Sequence, residues 1–590
     1  MASSFKVENN VVKANIEALQ KFMNKENLDG FYISSFDEFL NEYVPMENCH
    51  RFYLTGFSGS VASVLVPPTG KVKLYVDGRY HEQADNEVDA SVIEVVKLDG
   101  DRGLYNSVWE DVEEAKMQSV GIEGERTSLD FYQNLEKVTS IKSFNNGELS
   151  SFIDFVKMPD LSEIIFETKV NRGKDTKEKL DRIFKDDSSN TNKTDEAYFV
   201  TAIDSLAWVT NCRGYHLPNL SSFLGRGFVT HDKVYVFLDT NTPISKEAQN
   251  IEGVEFFQVS TSEIQSRLTD ISNSYSLSKV FFDPKMLNSA DYQTLTNIFD
   301  DKTLVAKKGG LVGFHAIKDE EEIEIITRCF EKGDQAIYDT LKWAKKNVSE
   351  GAEISELDLY HQTTIQYQKQ GAKEQSFNTI AGVGANGSII HYGDPKSDVI
   401  MKKNDMVLLD SGGYFDGGFA TDTTRTFVAG DEAPHADCVK IYTATLKGVL
   451  QCQNAIFPKG ATGITLDAYA RKPIFDIGMN FAHGTGHGVG IHVHEDGARI
   501  SPVADIKMKA GQVVSIEPGI YISGFGGVRI ENIVFVEEHP EFDGFLRFRP
   551  LVYIGYEPKL IDMDKLTKQE KVWLEDYEKE CEKRGRSFRS

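Results

Sequence analysis

Acidic side chains set into apolar, glycine-punctuated segments constrain this 590-residue chain more than any other feature. "LLDSGGYFDGGFATDTTRT" carries Asp410 at the end of an apolar strand and Asp422 on a returning one, "SIEPGIY" sets Glu517 beside a proline at a strand edge, and "VRIENI" puts Glu531 inside an apolar strand. A carboxylate in such a place must face solvent or meet a cation, because an unpaired charge in a low-dielectric interior is strongly unfavourable. Glycines around Asp416 form a tight turn, and a hairpin centred there would set Asp410 directly opposite Asp422 on one face. Facing carboxylates share a proton or hold positive charge between them, unless each Asp merely pins the turn. For Glu531 the plain alternative is an ion pair with Arg529, two residues away and on the same face of the strand.

Downstream of the hairpin, "HGTGHGVGIHVHE" crowds His483, His487, His492 and His494 together. Four carboxylates with at least one imidazole form a set of hard oxygen donors with one borderline nitrogen, which suits Mn²⁺, Co²⁺ or Zn²⁺. One tetrahedral zinc would be over-supplied. Two ions about 3.5 to 4 Å apart, bridged by carboxylates, would use every donor and make hydroxide available near neutral pH.

The rest of the chain is ordinary globular protein. It is too long for one core, and its 40 % hydrophobic and 26 % charged residues exclude a disordered or fibrous class. No apolar run is long enough to span a bilayer, and the N-terminal stretch reads as an amphipathic helix without a signal core, so export is not expected. Six scattered cysteines without C-x-x-C spacing argue against a disulfide framework or thiolate zinc, and fit a reducing compartment. A net charge of −25 disfavours nucleic-acid partners and attracts cations. Two upstream segments share one order of features: a strand, an aromatic-Thr turn, and two strands ending on Asp, "VASVLVPPTGKVKLYVDGRY" in one and "GFVTHDKVYVFLDT" in the other. This pattern predicts an internal duplication. Ile323, Ile326, Phe330, Ile337, Leu341 and Ala344 form one stripe of a long helix, and Thr567 with Glu570 would cap a last one. The polar run 185–196 reads as an exposed loop, and the basic tail "EKRGRSFRS" as solvated.

"IIHYGDP", "LLDSG…TDTTRT", "HGTGHGVG…VHE", "SIEPGIY" and "VRIEN", in this order, resemble the pita-bread metallopeptidases. With "EYVP…RFYLTGFSGS…YVDGRY", "DSLAWVTNCRG" and "LIDMDKLTKQEKVWLEDY", nearly the whole chain is similar to the three-domain Xaa-Pro aminopeptidases. The resemblance implies an α/β (α+β) fold: creatinase-like α/β domains at 1–155 and 156–317, then a catalytic pita-bread domain at 318–590 with a C-terminal helical extension. It implies metal ligation by Asp410, Asp422, His487, Glu517 and Glu531, with two divalent ions, Mn²⁺ before Co²⁺ or Zn²⁺. Glu517 would also relay a proton, His391 and His494 would act on substrate and transition state, and Arg79, His483 and Arg529 would line the substrate pocket. His492 is expected only to pack or face solvent. The implied reaction removes the N-terminal residue from peptides with proline second, in a cytoplasmic homodimer without membrane or nucleic-acid partners. A prolidase restricted to dipeptides, or a non-catalytic peptide- or histone-binding module, would share parts of this pattern. Asp410 and Asp422 are twelve residues apart, one more than the family's usual hairpin; an extra residue in the glycine-rich turn keeps both on their faces, and one within a strand does so only through a bulge.

Overall fold

The structure, a computed structural model, describes residues 6–98, 103–186 and 191–589. Two six-stranded sheets in the first half have the same wiring. In the first, the order is Ile93–Lys97, Val72–Val76, Ser63–Val66, Gly30–Ile33, Ser119–Glu123 and Ser140–Phe144. In the second it is Val254–Gln258, Val234–Leu238, Arg226–Val229, Glu196–Val200, Lys279–Phe282 and Leu304–Ala306. Each has an antiparallel hairpin beside its first strand and parallel pairings outside it. The predicted duplication is therefore real at the level of topology.

Alternation along these strands builds both layers. Phe31, Ile33, Val64, Val66, Leu74 and Val76 pack on Val12, Ile16, Leu19 and Met23 of the helix Asn9–Glu26, while Tyr32, Leu65, Tyr75 and Ile122 face Val108, Phe131 and Leu135 on the other side. The predicted long helix spans Glu320–Ser349, opened by a capping box between Asp319 and Glu322. Its stripe joins Leu180, Phe184 and Trp208 of the second unit to Leu409, Phe419 and Phe427 of the third in one continuous core. The capping box at Thr567 and Glu570 starts the last helix, Lys568–Lys583. The polar run is described only at 185–186 and from 191 onward, so its middle lies outside the described residues.

The basic tail differs from expectation. Arg586 is 5 % exposed and binds Asp334 (3.0 Å) and Glu331, Arg584 joins Glu331 (3.1 Å), and Phe588 packs on Tyr338. Its charges complement acids of the long helix, a pairing local charge density cannot reveal.

The third unit holds a three-stranded sheet, Ile380–Val383, Met406–Ser411 and Thr423–Val428, and a six-stranded one including Gly486–Gly488, Glu495–Ile500, Val513–Ile516 and Asn532–Glu538. A buried ionic knot fastens it to the second unit. Glu495 accepts from Lys318 and, at 3.0 Å, from His315, whose other nitrogen meets Ser205 at 2.9 Å and lies 4.0 Å from Asp204. Burial opposes ionisation of Glu495, but Lys318 and His315 outweigh it and hold the carboxyl at about 2. Asp204, His315 and Glu495 have metal-ligand chemistry, yet the Lys318 ammonium already supplies their cation. Replacing Lys318 by Met should strand the Glu495 charge and cost about 3 to 5 kcal/mol, read as a lower urea midpoint.

Candidate active site

The strand Met406–Ser411 pairs with Thr423–Val428 without a break, Asp410 facing Thr424 and Ser411 facing Thr423. Asp410 is thus not opposite Asp422, as the centred hairpin predicted. Asp422 lies two residues before Thr424, diagonal to Asp410 and on the same face, because the chain leaves the ladder after Ser411 and pairs Gly413–Tyr414 with Glu374–Gln375. The connecting turn uses Gly417 and Gly418 at φ 96° and 64°, and a Cβ on Gly418 would sit 2.5 Å from Arg213 Nε. The second unit clamps this turn, with Arg213 donating to the Gly417 carbonyl (3.1 Å) and Ser221 to that of Gly418 (2.6 Å).

Glu531 occupies the break between Gly526–Arg529 and Asn532–Glu538, 1 % exposed, accepting from the Thr424 hydroxyl at 3.0 Å. The alternative for Glu531, an ion pair with Arg529, does not form. Arg529 instead reaches across the sheet to Asp410 (2.7 Å), Thr424 (3.0 Å) and the Tyr521 hydroxyl (2.9 Å). Arg425, fully buried, sews these strands together: its guanidinium donates to the Glu531 carbonyl (2.5 Å), Asn532 (2.8 Å), the Ile554 carbonyl (3.0 Å) and Tyr577 of the last helix (3.0 Å).

His487 follows a glycine whose Cβ would come 1.9 Å from the Ser515 carbonyl, so the backbone approaches where only glycine fits. Its Nε2 lies 3.5 Å from Asp422 and 3.3 Å from Glu517, while Nδ1 donates to the Gly488 carbonyl at 3.0 Å. That bond orients the ring so that Nε2 is the atom offered to the carboxylates. Ligand atoms of Asp422, His487 and Glu531 lie within 4.8 Å of one another. Asp410 Oδ1 and Glu531 Oε1 are buried without a hydrogen-bond partner. Oriented, desolvated oxygens left unpaired beside an aligned imidazole fit a cation-binding centre.

The electrostatics agree. Burial, then the neighbouring Glu531, Asp410 and Glu517, pushes Asp422 well above the carboxylate range. Burial, then Glu517 and Asp410, raises Glu531 to about 8. Burial alone would lower His487, but Glu517 reverses this and lifts it to about 9. Among protein groups alone, an imidazolium and shared protons offset the crowded charge, roles a divalent ion would take over.

The other expected residues converge on the same cleft, of 2590 Å³, as do Tyr80 and Glu42. His494 Nδ1 donates to Glu42 at 2.8 Å, and its ring lies 4.4 Å from that of His487. Burial opposes ionisation of Glu42, yet His494 and then Arg79 hold it at about 2. His391 Nδ1 meets the Tyr80 hydroxyl at 2.8 Å, and His483 Nε2 meets that of Tyr521 at 2.9 Å. Arg79 is held by Asp77 through contacts of 2.9 and 2.8 Å. His492 binds Ser222 at 2.9 Å across the boundary with the second unit, a packing role. Sequence reading gave no role to Glu42, Tyr80, Tyr521 or Thr424. Each lies beside a recognised motif, in "EYVP", "VDGRY", "SIEPGIY" and "TDTTRT", but none has a local spacing that declares its partner.

Comparison with known proteins agrees with this architecture. Residues 15–153 and again 157–322 match the Creatinase/Prolidase N-terminal domain, 324–538 match Metallopeptidase family M24, and 544–587 match the C-terminal region of peptidase M24. A Probable Xaa-Pro aminopeptidase P from Coprinopsis cinerea is 30 % identical, the alignment covering 96 % of this chain and 94 % of that protein. Xaa-Pro aminopeptidase 1 of Dictyostelium discoideum is 30 % identical over 96 % of this chain and 92 % of its own. Among solved structures, an X-prolyl aminopeptidase from Caenorhabditis elegans, described as a cytosolic enzyme with a di-nuclear active site, matches with a TM-score of 0.87 at 24 % identity, covering 97 % of this chain and 96 % of its own. An Xaa-Pro dipeptidase from Bacillus anthracis matches with a TM-score of 0.52 at 25 % identity, covering 65 % of this chain and 98 % of its own. Fold and site together define a pita-bread metallopeptidase preceded by two creatinase-type domains. Within that class, the chain belongs to the Xaa-Pro aminopeptidase family.

The folded-state pKa is raised for both Asp422 and Glu531, so the stability they contribute is present below their unfolded values and lost as pH rises, for Glu531 through about 8. Stripping divalent metal with a chelator should therefore lower the melting temperature more at pH 8 than at pH 6, measured by thermal unfolding.

Proposed function

We propose that this protein removes the N-terminal residue from peptides with proline at position two, using two divalent ions held by Asp410, Asp422, His487, Glu517 and Glu531. The observation that carries this reading is the convergence of these side chains, with orphaned oxygens on Asp410 and Glu531, in one cleft of 2590 Å³. When bound, the ions would activate water and polarise the carbonyl of residue one. The chain's own residues do the rest. Glu517, steadied by Ser515 (3.3 Å), accepts and relays the proton of the attacking water. His494, oriented by Glu42, and His391, oriented by Tyr80, stand over the site to stabilise developing charge, an effect worth roughly 3 kcal/mol per donor. Arg529 holds Asp410 and, through Tyr521, His483, so the wall beside the second residue is rigid.

Mn²⁺ is the ion we propose first, since all donors but one are oxygens. We further propose domains at 1–155, 156–317 and 318–590, a homodimeric assembly, and a cytoplasmic setting, for which six buried, unpaired cysteines speak. Hydrolysis of an Arg-Pro-Pro tripeptide with added Mn²⁺, against the Xaa-Pro dipeptide, tests the reading: the tripeptide should be cleaved, and exclusive use of the dipeptide would assign a prolidase. Asp422→Ala should abolish both metal loading and turnover. His494→Ala should keep its metal while kcat falls about 100-fold; equal loss of metal and kcat would contradict its proposed role.

A further inference from the structure

Tyr80 belongs to the first unit, yet its hydroxyl is placed on a histidine of the third. It follows the strand Val72–Val76, is 1 % exposed, and stands edge-on to Phe57 (5.7 Å between ring centroids) and to His391 (5.2 Å). Its hydroxyl lies 2.8 Å from His391 Nδ1 and 2.8 Å from the Ser60 hydroxyl. One phenolic proton faces two neighbours.

Two arrangements satisfy these contacts. In one, Ser60 donates to Tyr80 and Tyr80 donates to His391 Nδ1, leaving the ring proton on Nε2. In the other the chain runs backwards, and Nε2 is bare. A phenol is a stronger donor than an alcohol, and an imidazole nitrogen a stronger acceptor, so the first arrangement pairs the strongest partners. Burial, followed by Arg79 and Arg529, pushes the imidazole well below its ordinary value, so the ring is neutral and its tautomer matters.

We propose that the first domain sets the tautomer of His391: the chain Ser60 to Tyr80 to Nδ1 makes Nε2–H the group presented to substrate. Tyr80 is then a positioning residue, acting through His391. Its effect on turnover rests on the peptidase reading above, but the tautomer itself does not.

The test uses the full chain loaded with diamagnetic Zn²⁺ and selectively ¹⁵N-labelled at histidine, with His391→Gln for assignment. The wild-type protein should show a bare Nδ1 and a protonated Nε2. In Tyr80→Phe, which keeps the ring, the two nitrogens should move towards averaged shifts, and kcat for Arg-Pro-Pro with Mn²⁺ should fall about tenfold with KM and metal content within about twofold. Ser60→Ala should leave the tautomer as it is, whereas the reverse chain would let Tyr80 turn its proton to Nδ1 and switch it. A proton on Nδ1 in the wild type, a switch in Ser60→Ala, or unchanged shifts and kcat in Tyr80→Phe would overturn the proposal. If Tyr80→Phe does not fold, the wild-type and Ser60→Ala spectra decide. If the wild-type chain cleaves no Xaa-Pro peptide, the peptidase reading fails while the nitrogen shifts still judge the tautomer.

Discussion

Four carboxylates brought together out of water are the constraint on which the catalytic half of this protein depends. Asp410, Asp422, Glu517 and Glu531 repel one another, and the fold tolerates them only by meeting each with a specific counterweight: Arg529 on Asp410, Thr424 on Glu531, His487 between Asp422 and Glu517. Buried charges left unmatched are among the most destabilising features a protein can carry. The surrounding backbone is correspondingly over-determined. Arg425 gathers the Glu531 carbonyl, Asn532 and Tyr577 into one network, and the glycine before His487 lets two strands approach more closely than any side chain would allow.

The two creatinase-type units share a topology and do different work. The second is structural: its core is continuous with that of the third, it clamps the Gly417–Gly418 turn through Arg213 and Ser221, and it shares the Glu495, Lys318 and His315 knot. The first reaches into the cleft, with Glu42 on His494 and Tyr80 on His391. A duplicated fold has thus been placed once as a buttress and once as a wall of the site. The proposed metal ligands come from the third unit, and the polar partners of His391 and His494 come from the first.

Local signals in the chain were read correctly where the physics is local. The capping boxes at Asp319 and Thr567 and the stripe from Ile323 to Ala344 depend on neighbours three or four residues away. The same-face ion pair of Arg529 with Glu531, the plain alternative to a cation site, is not the one formed, since sharing a strand face does not outweigh a carboxylate more than a hundred residues upstream. Local charge density alone also leaves the basic tail in solvent, because acids of the helix Glu320–Ser349 that receive Arg584 and Arg586 are some 250 positions away in sequence.

By itself, the sequence determined which chemistry is available: carboxylates in apolar glycine-rich strands that must face solvent, share protons or meet cations, in an order along the chain that resembles one family of metallopeptidases. Its glycines also favoured a turn as the place for the extra residue between Asp410 and Asp422, over a bulge in a strand. Only the tertiary structure decided the two-residue offset that sets Asp410 across from Thr424, the choice of Asp410 as the partner of Arg529, and the entry of Glu42 and Tyr80 from a separate domain. The physical reason is range. Propensity, capping and turn geometry act over a few residues, whereas the matching of a buried charge or the orientation of an imidazole is settled by whichever group the packed fold brings within 3 Å.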